Sequence, residues 1–230
     1  FGVEEPDCAG NCPGFLVKGD LDQDGEVEAD DPLMYAELLA DGVTTSAPCV
    51  DLNSDGALSI TDVALAADCA HLGHNHLGDN GVEDHCDWNG PLLVPDEEVM
   101  FSLILPHEDS SFVDLYVHNP QTWLSGWSVQ LDGAAFTALT PLFDTTGFSH
   151  YFHLSASGMV FGVALEDSLV HKSTLPQPLV RLHFTDAAAE ICMIGNAEVT
   201  NHDRHNVAAS ATGCIVPGTF CLGDINDNGI

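Results

Sequence analysis

The sequence predicts an α+β chain, a small helical calcium-binding module followed by an antiparallel β-sandwich. Three observations predict it. An acidic loop of fixed spacing occurs twice, each copy followed by apolar residues at helical spacing. From about residue 92 the apolar period drops to two. The chain carries 36 Asp plus Glu against 4 Lys plus Arg, a formal charge of −32. That imbalance strains a compact state unless bound cations neutralise part of it.

The first loop runs from Asp20 to Asp31 and the second from Asp51 to Asp62. Oxygen side chains fall at positions 1, 3 and 5 of each (Asp20, Asp22, Asp24; Asp51, Asn53, Asp55). Gly stands at position 6 and an aliphatic residue at position 8. Position 7 (Glu26, Ala57) offers a backbone carbonyl, position 9 an oxygen side chain (Glu28, Ser59), and position 12 a carboxylate (Asp31, Asp62). A hard cation collects roughly 6–8 oxygens, so this spacing points to Ca2+. One acidic loop is a weak signal, because Asp, Asn and Gly cluster in ordinary turns; two copies in register are a strong one. At calcium ~100-fold above the dissociation constant, each filled site adds about 2.7 kcal/mol, against the ~5–15 kcal/mol of a typical domain.

Each loop leads into a predicted helix. Pro32 suits a first helical turn, Leu33 to Leu39 supply the apolar spacing, and Gly42 closes the end. In the second, Thr61 is the expected N-cap, Val63, Ala66, Ala67 and Ala70 form a stripe, and Gly73 terminates it. Residues 19–73 thereby resemble the duplicated calcium-binding repeat of dockerin modules, including Asp rather than Glu at position 12. The resemblance implies a cohesin-type partner, and implies that positions 10 and 11 contribute to partner choice. Those positions are Ala29-Asp30 and Ile60-Thr61, so the two halves differ and a symmetric docking mode is not expected.

The remaining segments divide as follows. Residues 1–18 read as a disulfide-tied lead-in with Cys8 and Cys12, and 74–91 as a polar His-rich linker (His74, His76, His85, then Cys86) that matches no established zinc spacing. Residues 218–230 end as half of a further loop, with Asp224, Asn226 and Asn228 at positions 1, 3 and 5 and Ile230 at 7. Joined after Ile230, Phe1 would take position 8 and Glu5 position 12. The expectation drawn from this is head-to-tail assembly with further copies, as tandem repeats or as subunits completing each other's loop. Eight cysteines, Cys8, Cys12, Cys49, Cys69, Cys86, Cys192, Cys214 and Cys221, fit an oxidising, extracellular or cell-surface setting. A Cys49–Cys69 bridge and a Cys192–Cys214 bridge are expected, although sequence alone fixes no connectivity.

In residues 92–217, Val113, Leu115 and Val117 alternate with Asp114 and Tyr116, and Trp127, Val129 and Leu131 with Ser128 and Gln130. Met159, Phe161, Val163 and Leu165 alternate with smaller partners, and Val180, Leu182 and Phe184 with Arg181 and His183. Turn signals such as Asn119-Pro120 and Asp132-Gly133 separate them, which is the pattern of a sandwich. The order of Leu115–Asn119, Leu124–Leu131, Gly158–Asp167 and Pro178–Phe184 is similar to cohesin strands.

No basic face exists for nucleic acid, and no run reaches the ~20 apolar residues of a membrane span. Histidines at 107, 118, 150, 153, 171 and 183 lack a nucleophile motif, so no enzyme is expected. The sequence therefore points first to a structural subunit of an extracellular, calcium-stabilised filament or tandem-repeat surface protein. The alternative is a dockerin/cohesin-type binding module of a scaffold. A second alternative, a carbohydrate-binding sandwich, would need an aromatic platform from Trp123 or Trp127.

Overall fold

The computed structural model describes residues 19–22, 24, 26–43, 50–72, 93–106, 111–143, 150–165 and 170–217. Helix α1 (Asp30–Ala40) and helix α2 (Ile60–Leu72) follow the two acidic loops. Gly42, with φ 74°, ends α1, where its amide donates to Leu39 and that of Val43 to Leu38. That pair of bonds satisfies carbonyls the helix end would otherwise orphan. The second helix starts two residues earlier than its sequence implies. Ser59, not Thr61, caps it, its Oγ accepting the Thr61 amide at 3.2 Å. A position-9 serine already faces the helix start, which frees Thr61 for another use.

The strands are β1 (Leu93–Ile104), β2 (Phe112–Asn119), β3 (Leu124–Asp132), β4 (Ala135–Pro141), β5 (His150–Leu154), β6 (Met159–Ala164), β7 (Ser173–Thr185), β8 (Ile191–Asn201), β9 (Asn206–Ala211) and β10 (Cys214–Ile215). Hydrogen bonding orders them β4-β7-β2-β1-β9-β8-β3-β6-β5, with β10 on β8. The β1–β9 pair is parallel, so the sandwich is not purely antiparallel. The two layers meet where β9 joins β8 through the Thr200–Asn206 pair. Both layers contribute to one core: Val113, Leu115 and Val117 of β2 lie with Trp127, Val129 and Leu131 of β3 and Leu182 of β7. Cys192 and Cys214 form a disulfide between β8 and β10.

A second apolar cluster holds the helix pair. Tyr35, Ala36 and Leu39 of α1 and Val63, Ala64 and Ala66 of α2 pack with Leu21, Leu52 and Ile60. Phe161 and Val163 of β6 belong to this cluster, not to the sandwich core, while Val160 points inward. The larger residues of β6 thus face away from the sandwich and into the helices, which is why neither face of that strand is polar.

Candidate metal centre and docking face

The two loops share one hydrogen-bond plan. Leu21 N–H donates to Asp31 Oδ1 at 2.6 Å, as Leu52 does to Asp62 at 2.7 Å. Asp22 and Asn53 add longer bonds to the same oxygens, 3.3 Å each. The position-5 amide reaches the position-1 carboxylate at 3.2 Å (Asp24 to Asp20) and 3.0 Å (Asp55 to Asp51). It also reaches the position-3 oxygen, Asp22 or Asn53, at 3.0 Å. The position-7 amides of Glu26 and Ala57 donate to Asp24 and Asp55. The position-9 amides of Glu28 and Ser59 close each loop on Asp31 and Asp62. Gly56, at φ 100°, makes the sharp turn that a side chain at position 6 would strain.

The residues fit a hard cation. Carboxylate oxygens of Asp20, Asp22 and Asp24 lie within 4.8 Å of one another. Asp20, Asp31, Asp51, Asn53 and Asp62 are buried, and among the described residues the two arginines lie on other acids, Asp114 and Asp68. Burial pushes the Asp31 carboxyl up, partly offset by the amides that it accepts, and pushes Asp62 up to about 6. Asp24 is the main cause raising Glu28. Carboxylates so poorly compensated by protein are the condition a divalent ion relieves. Tyr35 is fully buried beside both loops, its phenol held well above the ordinary range by burial and by Asp62, Asp31 and Asp20. Position 12 is thus oxygen-rich in both loops, and Ser59 Oγ adds a bond to Asp62 at 3.0 Å in the second.

The sequence-expected ligands Asp224, Asn226, Asn228, Ile230 and Glu5 lie outside the described residues, as do Cys8, Cys12, Cys49, Cys86 and Cys221. Cys69 is buried and disulfide-bonded.

Positions 10 and 11 differ as sharply in setting as in sequence. Ala29 and Asp30 are exposed, whereas Ile60 and Thr61 are buried against the sheet. A Cβ on Gly126 of β3 would stand 3.0 Å from Ile60 Cγ1, so the glycine lets that side chain lie closer to the strand than a larger residue ordinarily would. Thr61 Oγ1 lies 2.7 Å from Thr200 Oγ1 and donates to Asn206 Oδ1. Arg204, in the β8–β9 turn, donates from Nη2 to Asp68 of α2 at 2.6 Å. Glu198 of β8 is raised by burial and accepts from the Ile60 amide and from Ser128. Sequence reasoning missed Gly126, Glu198, Thr200, Arg204, Asn206 and Asp68. The one signal present was the uninterrupted apolar run Val160–Ala164, which marks a strand covered on both faces.

The aromatic candidates separate. Trp127 is core, packed near Phe101 and Phe152, and Trp123 is exposed and stacked on His171 at 4.4 Å. His150 and His153 of β5 lie against Phe143 and Phe161, and His183 of β7 against Phe112.

No family model matches the chain. No curated protein matches it. Solved structures similar to it include cohesin modules. The sixth cohesin of scaffoldin B from Acetivibrio cellulolyticus, solved with a Cel5 dockerin mutant, is 10% identical. That match covers 52% of this chain and 97% of that one, with a TM-score of 0.37. CaCohA2 of Clostridium acetobutylicum is 13% identical over 52% of this chain and 90% of its own, at 0.36. A non-cellulosomal cohesin from the archaeon Archaeoglobus fulgidus is 12% identical over 52% and 81%, at 0.33. The strand order and the shared core, not these likenesses, establish the sandwich.

Proposed function

We propose that the chain is a non-catalytic, calcium-stabilised binding module acting outside the cell, of the dockerin/cohesin type. In this reading the loop-and-helix pair is the recognition element, Ca2+ fills the loops, and the β8-β3-β6-β5 face is its receptor. The observation that carries it is the seating of Ile60 and Thr61, positions 10 and 11 of the second loop, on Gly126, Thr200 and Asn206. The residues of a calcium loop that face outward for a partner are the ones that here meet a sheet. The eight cysteines support an oxidising setting.

The calcium-joined filament is the finer reading that rests on residues 1–5 and 224–230, and no specific observation among the described residues favours it. The burial of Trp127 removes one of the two aromatic candidates for a sugar-binding platform.

The test is calcium titration by calorimetry on the whole protein, paired with hydrogen exchange in calcium and in chelator. Calcium is expected to bind and to protect the amides of both loops, α2, β3 and β6. Absence of heat at millimolar calcium, or exchange indifferent to chelator, sinks the proposal.

A further inference from the structure

We propose that Trp123 is the platform of a binding site for a neutral saccharide. It lies at the end of the sandwich where the β2–β3 loop, the segment leading into β7 and the β8–β9 turn converge. The site shares no residue with the acidic loops, and the inference stands apart from the calcium-module reading.

Among the described residues Trp123, 39% exposed, is the one aromatic ring left so open to solvent. The residues after it turn inward, Leu124 and Trp127 both being buried. The chain thus hides one indole and presents another four residues earlier.

The presented ring is held from three sides. Asn119, fully buried, donates from Nδ2 to the carbonyls of Thr122 and His171, at 2.9 and 3.1 Å. Gln177 donates to Asn119 Oδ1 at 2.7 Å and also to the His171 carbonyl. Leu124 and Val170 exchange both backbone bonds at 3.0 Å. That bridge sets the residue after Trp123 beside the residue before His171. The His202 amide donates to the Trp123 carbonyl at 3.0 Å. Its turn is closed in the same way, Asn201 Oδ1 accepting the His205 amide at 2.9 Å. A buried amide that orients two loop carbonyls gives a preformed site, since a ring already fixed loses little freedom on binding.

Two imidazoles flank the indole. His171 lies 4.4 Å away with planes 17° from parallel, so it covers one face. His202, at 6.4 Å and 54°, borders the ring instead of lying flat on it. Both are exposed, as are their chain neighbours Lys172 and Asp203.

That combination matches a pyranose, which has an apolar C–H face and a rim of hydroxyls that both donate and accept. The indole suits the face; at the rim the imidazoles donate or accept, Asp203 accepts and Lys172 donates. A wholly apolar ligand would leave those polar groups unpaired. A polyanionic sugar would meet the repulsion of a chain whose formal charge is −32. The neutral saccharide is what remains.

The test is affinity electrophoresis of the whole protein in calcium, through gels carrying a soluble β-glucan, xylan, mannan or polygalacturonate. At least one of the three neutral polymers is expected to retard the wild type, and Trp123→Ala to weaken that binding about tenfold, the scale of a lost aromatic stack. Circular dichroism and calcium calorimetry of the variant are expected to match wild type. Retardation by no neutral polymer, retardation by polygalacturonate alone, or a folded Trp123→Ala that binds as well as wild type each overturns the proposal and leaves the calcium-module reading standing. A protein that binds the sugar but no calcium keeps this site and sinks that reading. Should Trp123→Ala fail to fold, acrylamide quenching is read in Trp88→Phe, which keeps Trp123 and the buried Trp127 of the three tryptophans. Quenching slowed by the retarding polymer supports the site, and quenching indifferent to it overturns it.

Discussion

The carboxylate of Asp62 accepts the backbone amide of Leu52 at 2.7 Å, fully out of solvent, at the closure of the second loop. Burial outweighs the amides and the Ser59 hydroxyl that it accepts, and the acid stands at about 6 rather than 3.8. A carboxyl raised in the folded state favours the fold when protonated. Its contribution is therefore full below about 3.8 and lost as pH rises through about 6, a cost on the order of 3 kcal/mol to the calcium-free protein. Burial pushes Asp31 in the same direction. The calcium-free melting temperature is expected to rise as pH falls from 7 to 5, and the gain from adding calcium to shrink over the same interval as protons compete for the site. Melts in chelator and in calcium across that range check it; a calcium-free protein that stabilises with rising pH contradicts it.

The twin loops predict unequal consequences from equivalent substitutions. Asp31→Ala and Asp62→Ala each remove the position-12 carboxylate, so each is expected to lower the calorimetric stoichiometry by one calcium. At saturating calcium either loss amounts to roughly 2.7 kcal/mol when the ion stands ~100-fold above its dissociation constant. Only the second loop carries Ile60 and Thr61 against the sheet. Hydrogen exchange is therefore expected to speed up in β3 and β6 for Asp62→Ala and to stay unchanged there for Asp31→Ala.

What could be read in advance follows from range. The loop geometry is local: Asp20 to Asp31 and Asp51 to Asp62 fold on hydrogen bonds spanning ten residues or fewer, so spacing alone displayed it. The strands announced themselves by alternation wherever one face is solvated, as in Val113, Leu115 and Val117. Three features stayed hidden because they depend on distant partners. The parallel β1–β9 pairing joins the first strand of the sandwich to its ninth. The outward turn of Phe161 and Val163 reflects helices placed on that face. Thr61 lies 139 residues from the Thr200 it meets, and nothing near either residue encodes the other.

The Asp114–Arg181 pair is expected to answer asymmetrically. Arg181 donates to both carboxylate oxygens, at 2.8 and 2.9 Å, and stacks 3.9 Å over Phe112. The Asp114 side chain is 6% exposed and that of Arg181 33%. Removing the arginine strands a buried charge, whereas removing the aspartate leaves a guanidinium that reaches water. Arg181→Ala is therefore expected to cost about 3 kcal/mol and Asp114→Ala roughly 1 kcal/mol, read from urea midpoints at neutral pH. Equal losses would show that the carboxylate is better solvated than its burial implies.

Ile60→Ala tests how far the helix pair and the sandwich core melt together. Ile60 is fully buried, its Cγ1 against Gly126 of β3, and it belongs to the cluster that the helix pair shares with Phe161 and Val163 of β6, not to the core around Trp127. Truncating a buried isoleucine costs roughly 2–5 kcal/mol, and that loss falls on the part whose contacts it removes. Helical ellipticity is expected to melt earlier in the variant, while near-ultraviolet signal from Trp127 in the sandwich core keeps its wild-type midpoint. The equivalent residue of the first loop, Ala29, is exposed, so Ala29→Ser is expected to move neither. If both probes shift together in Ile60→Ala, the helix pair and the sheet unfold as one cooperative unit, and their contact belongs to a single core.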